Sequence, residues 1–427
     1  MIAKIQANGQ DEVRFLKQLG QRSGEIDSSV TAVVSEILKD VRLKGDEAVR
    51  GYTEKFDGVC PQSLEVSREA LSGFLQDCDE GFIAALKNAA GKIRTFHERQ
   101  LQQSWLTAEE DGVLLGQRIR ALHRVGIYVP GGTAAYPSSV LMNALPAKIA
   151  GVKEVIMTTP PGKDGKPNPD IMAAAYIAGV DRVFLVGGAQ AVGALAYGTE
   201  TVPKVDKIVG PGNIYVATAK RLVYGVVDID MIAGPSEILV IADHTANPKY
   251  LAADLLSQAE HDVLSSSILL TTSAEIAEQT IQEIETQLET LGRAEIARKS
   301  IQEFGAVILC GTLDQAVGLA NELAPEHLEV MVENPMEYLG RLDNAGSVFL
   351  GQYSPEALGD YYAGPNHVLP TGQTARFFSP LSVDSFIKKS SFIYYTRPAL
   401  EKAKNDVIRL AETEGLTAHA NSIKVRF

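Results

Sequence analysis

Chemistry in this chain centres first on Pro325-Glu326-His327-Leu328-Glu329, where a carboxylate sits beside an imidazole at the start of an apolar run, His327 to Val332. Histidine titrates near pH ~6.5, so such a pair suits general acid–base work near neutrality. Strand neighbours point to opposite faces. Glu326 and His327 therefore serve one pocket only at a strand mouth or turn, which Pro325 favours. The plain alternative is an exposed Glu and a packed His at a strand start.

A second candidate group is Gln258-Ala259-Glu260-His261, closing a helical stretch that begins at Pro248. Gln258 and His261 are three apart and share a helix face. Asp360 in a Gly-rich loop and His419 near the C-terminus would extend them to a mixed nitrogen/oxygen set. Without thiolates, such a set suits zinc or another divalent ion with positions left open for substrate. A helix-end His also serves as a cap or packs, so the set depends on the fold gathering it.

The dinucleotide fingerprint G-x-G-x-x-G is missing. Its nearest relatives are Gly187-Gly188-Ala189-Gln190-Ala191-Val192-Gly193 and Gly210-Pro211-Gly212-Asn213-Ile214-Tyr215, with Tyr215 where the third glycine belongs. Each follows a strand and opens a helix, so backbone N–H groups can meet an anion there. Tight βα turns need glycine too, and either reading accounts for each segment alone. Cys310 ends an apolar strand with no flanking positive group to activate it, and reads as core. Ser236 has no G-x-S-x-G elbow and reads as a polar contact.

These residues need elements to position them. Val30, Val33, Val34, Ile37, Leu38 and Val41 recur at helical spacing within a stretch from Asp27 to about Phe56, with Ser28 and Ser29 as cap candidates, and a second helical region runs from about 68 to 99. From 126 onward apolar strands (126–129, 154–158, 182–187, 206–209, 237–242) alternate with helices (138–150, 169–178, 190–197, 213–224). The alternation resumes with strands 266–271, 306–310, 328–332 and 346–350 and helices 248–260, 274–291 and 313–322. This implies βαβ units and parallel sheets, in two similar α/β blocks suggestive of duplication. After about Gly351 the chain reads as an irregular Gly/Pro-rich loop, then a last helix near 398–414.

Composition narrows the partners. The 427 residues, 45% hydrophobic and 22% charged, are enough for two or three domains with a sizeable core. A net charge of −13 argues against nucleic acid or an anionic membrane and suits a cationic small substrate. The N-terminus shows no signal-peptide stretch, and no uncharged run reaches transmembrane length. Cys60, Cys78 and Cys310 lie far apart, as expected of a reducing cytoplasm.

Together the motifs resemble the histidinol dehydrogenase family. They are Gly126-Ile127-Tyr128-Val129-Pro130-Gly131-Gly132, Gly187-Gly188-Ala189-Gln190-Ala191, Gly210-Pro211-Gly212-Asn213, Ala233-Gly234-Pro235-Ser236-Glu237, Gln258-Ala259-Glu260-His261, Ala324-Pro325-Glu326-His327-Leu328, Gly364-Pro365-Asn366-His367 and His419-Ala420-Asn421-Ser422, in the family's order. The resemblance implies oxidation of L-histidinol through L-histidinal to L-histidine, with two NAD per turnover and one zinc per subunit. It makes Glu326 and His327 the acid–base pair and gives zinc Gln258, His261, Asp360 and His419. Substrate would meet these four together with Ser236, His327, His367 and Glu414, and NAD would meet Tyr128, Gln190 and Asn213. An intertwined homodimer with shared sites is also implied. A zinc hydrolase using water activated by Glu326, without nucleotide, is the competing expectation. The expected organisation is an arm at 1–25, a first Rossmann-like domain from 26–127 plus 236–380 carrying the metal and acid–base residues, a second at 128–235 carrying the nucleotide contacts, and a C-terminal arm at 381–427.

Overall fold

The computed structural model describes residues 2–21, 28–108, 110–131 and 136–427. Asp27, Gly132 and positions 1 and 22–25 of the expected arm lie outside the described residues. Contacts divide the chain into two compact units: residues 1–100 with 122–386, and residues 101–121 with 387–427.

The larger unit holds two six-stranded sheets. One contains Arg124–Tyr128, Glu154–Thr159, Arg182–Leu185, Lys207–Val209 and Asp228–Ile229; the other contains Glu237–Ala242, Ser266–Thr271, Gly305–Leu309, His327–Met331 and Ser347–Leu350. Numbered along the chain within each block, both run 3-2-1-4-5 in space and all these pairings are parallel. This is the Rossmann-like order, met twice, and it gives the expected duplication a topological basis. Each sheet has one further strand beyond its third. Ala3–Gln6 pairs parallel with Gly305–Leu309, and Glu65–Val66 pairs antiparallel with Arg182–Leu185.

Near-continuous apolar strands are what a sheet covered on both faces requires. In the 237–350 sheet, Ile238 and Val240 pack under helices Pro248–Ala259, Ala274–Leu288 and Ala294–Phe304. Leu239, Ile241, Leu328 and Val330 face the opposite layer, with helices Asp11–Gln21 and Leu313–Leu323. Helix starts follow local chemistry: Asn168 and Asn247 accept N–H bonds from the first turns of Pro169–Ala178 and Pro248–Ala259, each with proline at the first helical position.

Three expectations change. Residues 3–6 are an edge strand of the 237–350 sheet, because their backbone completes the ladder on Gly305–Leu309. The Ser28–Lys44 and Asp46–Asp57 helices pack with the 124–229 sheet and not in the 236–380 block, while Glu80–Glu98 meets both, with His97 3.4 Å from Asn366. Val34, Ile37, Leu38 and Val41 share one core with Phe184, Val192 and Leu195, so hydrophobic burial regroups the segment. The stretch after Gly351 contains a helix, Glu356–Tyr361.

The smaller unit has a three-stranded antiparallel sheet ordered Ile387–Tyr395, Val113–Ala121, Trp105–Thr107, followed by helices Arg397–Thr413 and Thr417–Lys424. Of the expected 381–427 arm, residues 381–386 belong to the larger unit.

Leu38→Ala tests the regrouping of the 28–44 helix. Loss of a buried leucine from the 124–229 core should cost about 2–5 kcal/mol in urea unfolding. A cost near zero would place the helix outside that core.

Candidate active site

Helix Leu313–Leu323 ends at Ala324, whose left-handed backbone (φ 49°) starts the turn through Pro325 into strand His327–Met331. Ser347 N–H donates to Glu326 O at 2.9 Å, and a Cβ on Gly346 would lie 2.5 Å from that same oxygen, so glycine allows the close approach. Glu326 and His327 thus stand at a strand mouth. The adjacent strand grips both through one residue. Glu237 N–H donates to Glu326 Oε2 at 2.9 Å, and His327 Nδ1 lies 3.0 Å from Glu237 O, where its N–H donates. His327 Nε2 is left without a hydrogen bond at 4% exposure, 3.8 Å from Asp360 Oδ1 and 3.9 Å from Glu356 Oε1.

The electrostatics are lopsided. Among the described residues no lysine or arginine pairs with Glu326, Glu356 or Asp360; their only ion-pair partner is His327. Burial pushes Glu326 up to about 8, against the pull of His327 and the Glu237 N–H. Burial by itself lowers His327, but Glu326, Asp360 and Glu356 outweigh it and hold the imidazolium up to about 10. Burial also pushes Glu356 up to about 7 and Asp254, next to buried Glu329, up to about 6.

Donor atoms of His261, Glu356 and Asp360 all lie within 4.8 Å of one another. Gln258, fully buried on the last turn of Pro248–Ala259, is satisfied when its amide nitrogen meets Glu356 Oε1 at 3.1 Å and its oxygen meets Glu237 N at 3.2 Å. His367 Nδ1 lies 3.0 Å from Asp360 O, and its Nε2 lies 3.4 Å from Ser139 Oγ, so it braces the loop carrying Asp360. Beside His261 opens a cleft of about 420 Å³, walled by Phe82, Leu86 and Leu141 and rimmed by Tyr136, Tyr361 and Arg293. Ser236 precedes the Glu237–Ala242 strand, half-buried, and its carbonyl accepts Ser266 N–H at 3.0 Å.

Tyr128, Gln190 and Asn213 lie instead beyond the carboxyl ends of the 124–229 sheet, where parallel α/β sheets place ligands at a switch point. Gly188 N–H donates to Tyr128 Oη at 3.1 Å, and burial pushes that phenol up to about 12. Gln190 is wholly buried in the first turn of Gly188–Tyr197, yet neither amide atom has a partner. Asn213 caps Ile214–Val223 by accepting from Tyr215 and Val216 N–H groups. The turn before it needs glycine: Gly210 has φ 109°, and a Cβ would lie 2.1 Å from Tyr128 O. A buried pair not singled out in the sequence holds this turn. Lys220 Nζ donates to Gly210 O at 2.9 Å, Asp230 Oδ2 accepts Gly210 N–H at 2.8 Å, and Lys220 and Asp230 pair with each other.

The larger unit therefore gathers Gln258, His261, Glu326, His327, Asp360 and His367 at one place. Glu414 and His419 belong to the smaller unit, both exposed, on the residue closing Arg397–Thr413 and on Thr417–Lys424. Glu356 was missed in the sequence. Its signal was its spacing of four from Asp360, which shares a face only once that stretch is helical.

Duplicated Rossmann-like sheets with an acid–imidazole pair beside a cation-type donor cluster define an α/β oxidoreductase architecture. The family model described as histidinol dehydrogenase matches residues 20–427. Curated histidinol dehydrogenases from Clostridium acetobutylicum and Listeria monocytogenes are each 56% identical, the first over 100% of this chain and 99% of its own length, the second over 94% and 93%. The crystal structure of histidinol dehydrogenase from Elizabethkingia anophelis superposes with a TM-score of 0.93 at 39% identity, covering 100% of this chain and 98% of that one. The chain belongs to the histidinol dehydrogenase family.

Lys220→Met should cost about 3–5 kcal/mol in chemical denaturation, since it strands Asp230 as a buried unpaired charge. A loss under about 1 kcal/mol, the scale of an exposed pair, would show that the pair does not anchor the turn.

Proposed function

We propose that this chain oxidises L-histidinol through L-histidinal to L-histidine, the last step of histidine biosynthesis, using NAD and zinc. The carrying observation is the Glu326–His327 pair gripped by the backbone of the single residue Glu237, with His327 Nε2 left free beside Asp360 and Glu356. Family membership favours oxidation over the hydrolytic alternative. The three free thiols, Cys60, Cys78 and Cys310, suit a reducing cytoplasm.

The residues present fit both groups. Buried carboxylates without a lysine or arginine partner, converging with His261, are a donor set short of positive charge. Gln258, His261 and Asp360 would hold zinc, with His419 as a further ligand. The fully buried, unpartnered amide of Gln190, set at a helix start beside Tyr128, is a polar group waiting for a ligand; with Tyr128 and Asn213 it would receive NAD. When bound, zinc supplies counter-charge and a template for substrate, and NAD supplies the electron sink.

The chain's own groups divide the proton work. With Asp360 and Glu356 neutralised, Glu326 alone remains to hold His327 protonated; its own carboxyl is raised to about 8, and while it carries its proton Nε2 is a base for the substrate hydroxyl. Its Nδ1–H bond to Glu237 O fixes the tautomer that leaves Nε2 available. Glu326, its carboxyl lifted toward neutrality by burial, takes a proton from the water that adds to the aldehyde. Ser236, His367 and Glu414 complete the substrate contacts. The acidic lining suits a cationic amino alcohol.

The working form in this reading is a homodimer in which each C-terminal segment, with Glu414 and His419, completes the other subunit's site. Supporting it, the smaller unit exposes the large apolar side chains of Trp105, Leu106, Ile393, Leu410 and Val425, surface that a second copy would cover.

Prolonged chelation should abolish NAD reduction by L-histidinol, and zinc should restore it; full activity in protein shown metal-free by elemental analysis would refute the metal reading. In single turnovers Glu326→Gln should slow the oxidation of L-histidinal far more than that of L-histidinol, by about 10²–10⁴-fold as expected of a lost general base, while His327→Asn slows both. Equal losses in the two steps for Glu326→Gln would end the proposed division of labour.

Sharing between subunits has its own test. Co-expressed His261→Ala and His419→Ala chains should recover roughly a quarter of wild-type sites, because a twofold heterodimer collects both lesions in one site and neither in the other. Verified heterodimers without activity would mean that His419 acts within its own chain or not at the site.

A further inference from the structure

We propose that Glu356 is a cation-facing carboxylate of this site and sets its cation affinity from within the chain. The inference rests on the zinc reading above and adds to it a residue outside the Gln258, His261, Asp360 and His419 set.

Glu356 opens the short helix Glu356–Tyr361, so Asp360, four residues on, lies on the same face. Glu356 is 2% exposed, with one carboxylate oxygen, its backbone N–H and its second carboxylate oxygen each facing a different neighbour. Ser257 Oγ–H donates to Oε2 at 2.8 Å, the Glu356 N–H donates to Glu329 Oε1 at 2.8 Å, and Oε1 lies within the 4.8 Å group formed with His261 and Asp360. With Oε2 engaged by Ser257, Oε1 is the oxygen presented to the cluster.

Two independent observations point to a positive ligand between these groups. His327 Nε2 is buried, unpartnered, and 3.9 Å from Glu356 Oε1 and 3.8 Å from Asp360 Oδ1. The Gln258 amide supplies the other. Its nitrogen sits 3.1 Å from Glu356 Oε1 in the orientation that satisfies its hydrogen bonds. Turned over, it would put its oxygen in that place, against a carboxylate oxygen. Two acceptors so close repel each other unless a proton or a metal cation lies against them, and only the metal also meets His261 and Asp360. The amide thus has one orientation for the cation-free site and another for the loaded one, and Glu356 makes the difference between them. A carboxylate that only tied its helix to Ser257 would need neither the buried Oε1 nor the Gln258 contact.

The test measures zinc binding by metal-stripped, full-length protein in competition with a chromophoric chelator, alongside thermal melting with and without zinc. Glu356→Gln keeps the size and an acceptor for Ser257 but removes the charge. Its zinc dissociation constant should rise about 10–100-fold, the scale seen when a group supporting a metal site is lost. Its metal-free melting temperature should equal or exceed that of wild type, because a buried like charge has gone, and the zinc-induced rise should shrink. Glu356→Asp, which retains the charge, should recover part of the affinity. Folded Glu356→Gln protein that binds zinc as tightly as wild type would overturn the proposal. So would an affinity loss matched by Ser257→Ala together with a fall in metal-free melting temperature, the signature of a purely structural role. Wild-type protein that takes up no zinc would instead overturn the zinc reading itself, a result distinct from tight uptake by both proteins.

Discussion

Several carboxylates are buried around one imidazole with no lysine or arginine among the described residues to pair them, and this end of the 237–350 sheet is arranged around that constraint. Glu326, Glu329 and Glu356 are almost fully buried, and Asp360 is close behind. Charges of one sign in a low-dielectric interior repel strongly, so the groups must protonate or meet a cation. Both responses are visible. Burial raises Glu326 to about 8 and Glu356 to about 7, and the acids together raise His327 to about 10. The same strain makes the place useful, because a group poised near neutrality can exchange protons with substrate and water.

The two sheets share one strand order, but their candidate residues stand at opposite ends. In the 124–229 sheet, Tyr128 and the Gly210 turn lie past the carboxyl ends of strands 1 and 4, the usual ligand crevice. In the 237–350 sheet, Glu237, Glu326 and His327 lie at the amino ends of the corresponding strands. At the carboxyl end there, Asp243 accepts from Thr245 and from Glu333 N–H and so ties strand 1 to the segment after strand 4. An inherited topology therefore does not dictate the position of a site.

Backbone geometry positions the reacting groups more than side-chain packing does. The backbone of one residue, Glu237, orients both Glu326 and His327, and a parallel ladder fixes its register against His327. Beyond the carboxyl ends of the 124–229 sheet, Lys220 and Asp230 grip both backbone groups of Gly210. Buried charge here holds a turn in place, a use distinct from net stabilisation.

Sequence alone determined the elements that local chemistry controls. The alternation of apolar strands and helices from 126 to 350 gave the parallel α/β class, because periodicity and Asn-Pro helix starts act over a few residues. Motif order carried the family, and with it the expectation that Gln258, His261, Glu326, His327 and Asp360 meet. Tertiary structure decided what depends on long-range burial. The 28–57 helices join the 124–229 core because their apolar face fits Phe184 and Leu195, and residues 3–6 join the other sheet because its edge was open to pairing. Glu356 belongs to this second class. Nothing around it gives a helical period strong enough to show that it and Asp360 share a face, and only packing against Ser257, Glu329 and Gln258 turns one acidic residue in a Gly/Pro-rich stretch into part of a site.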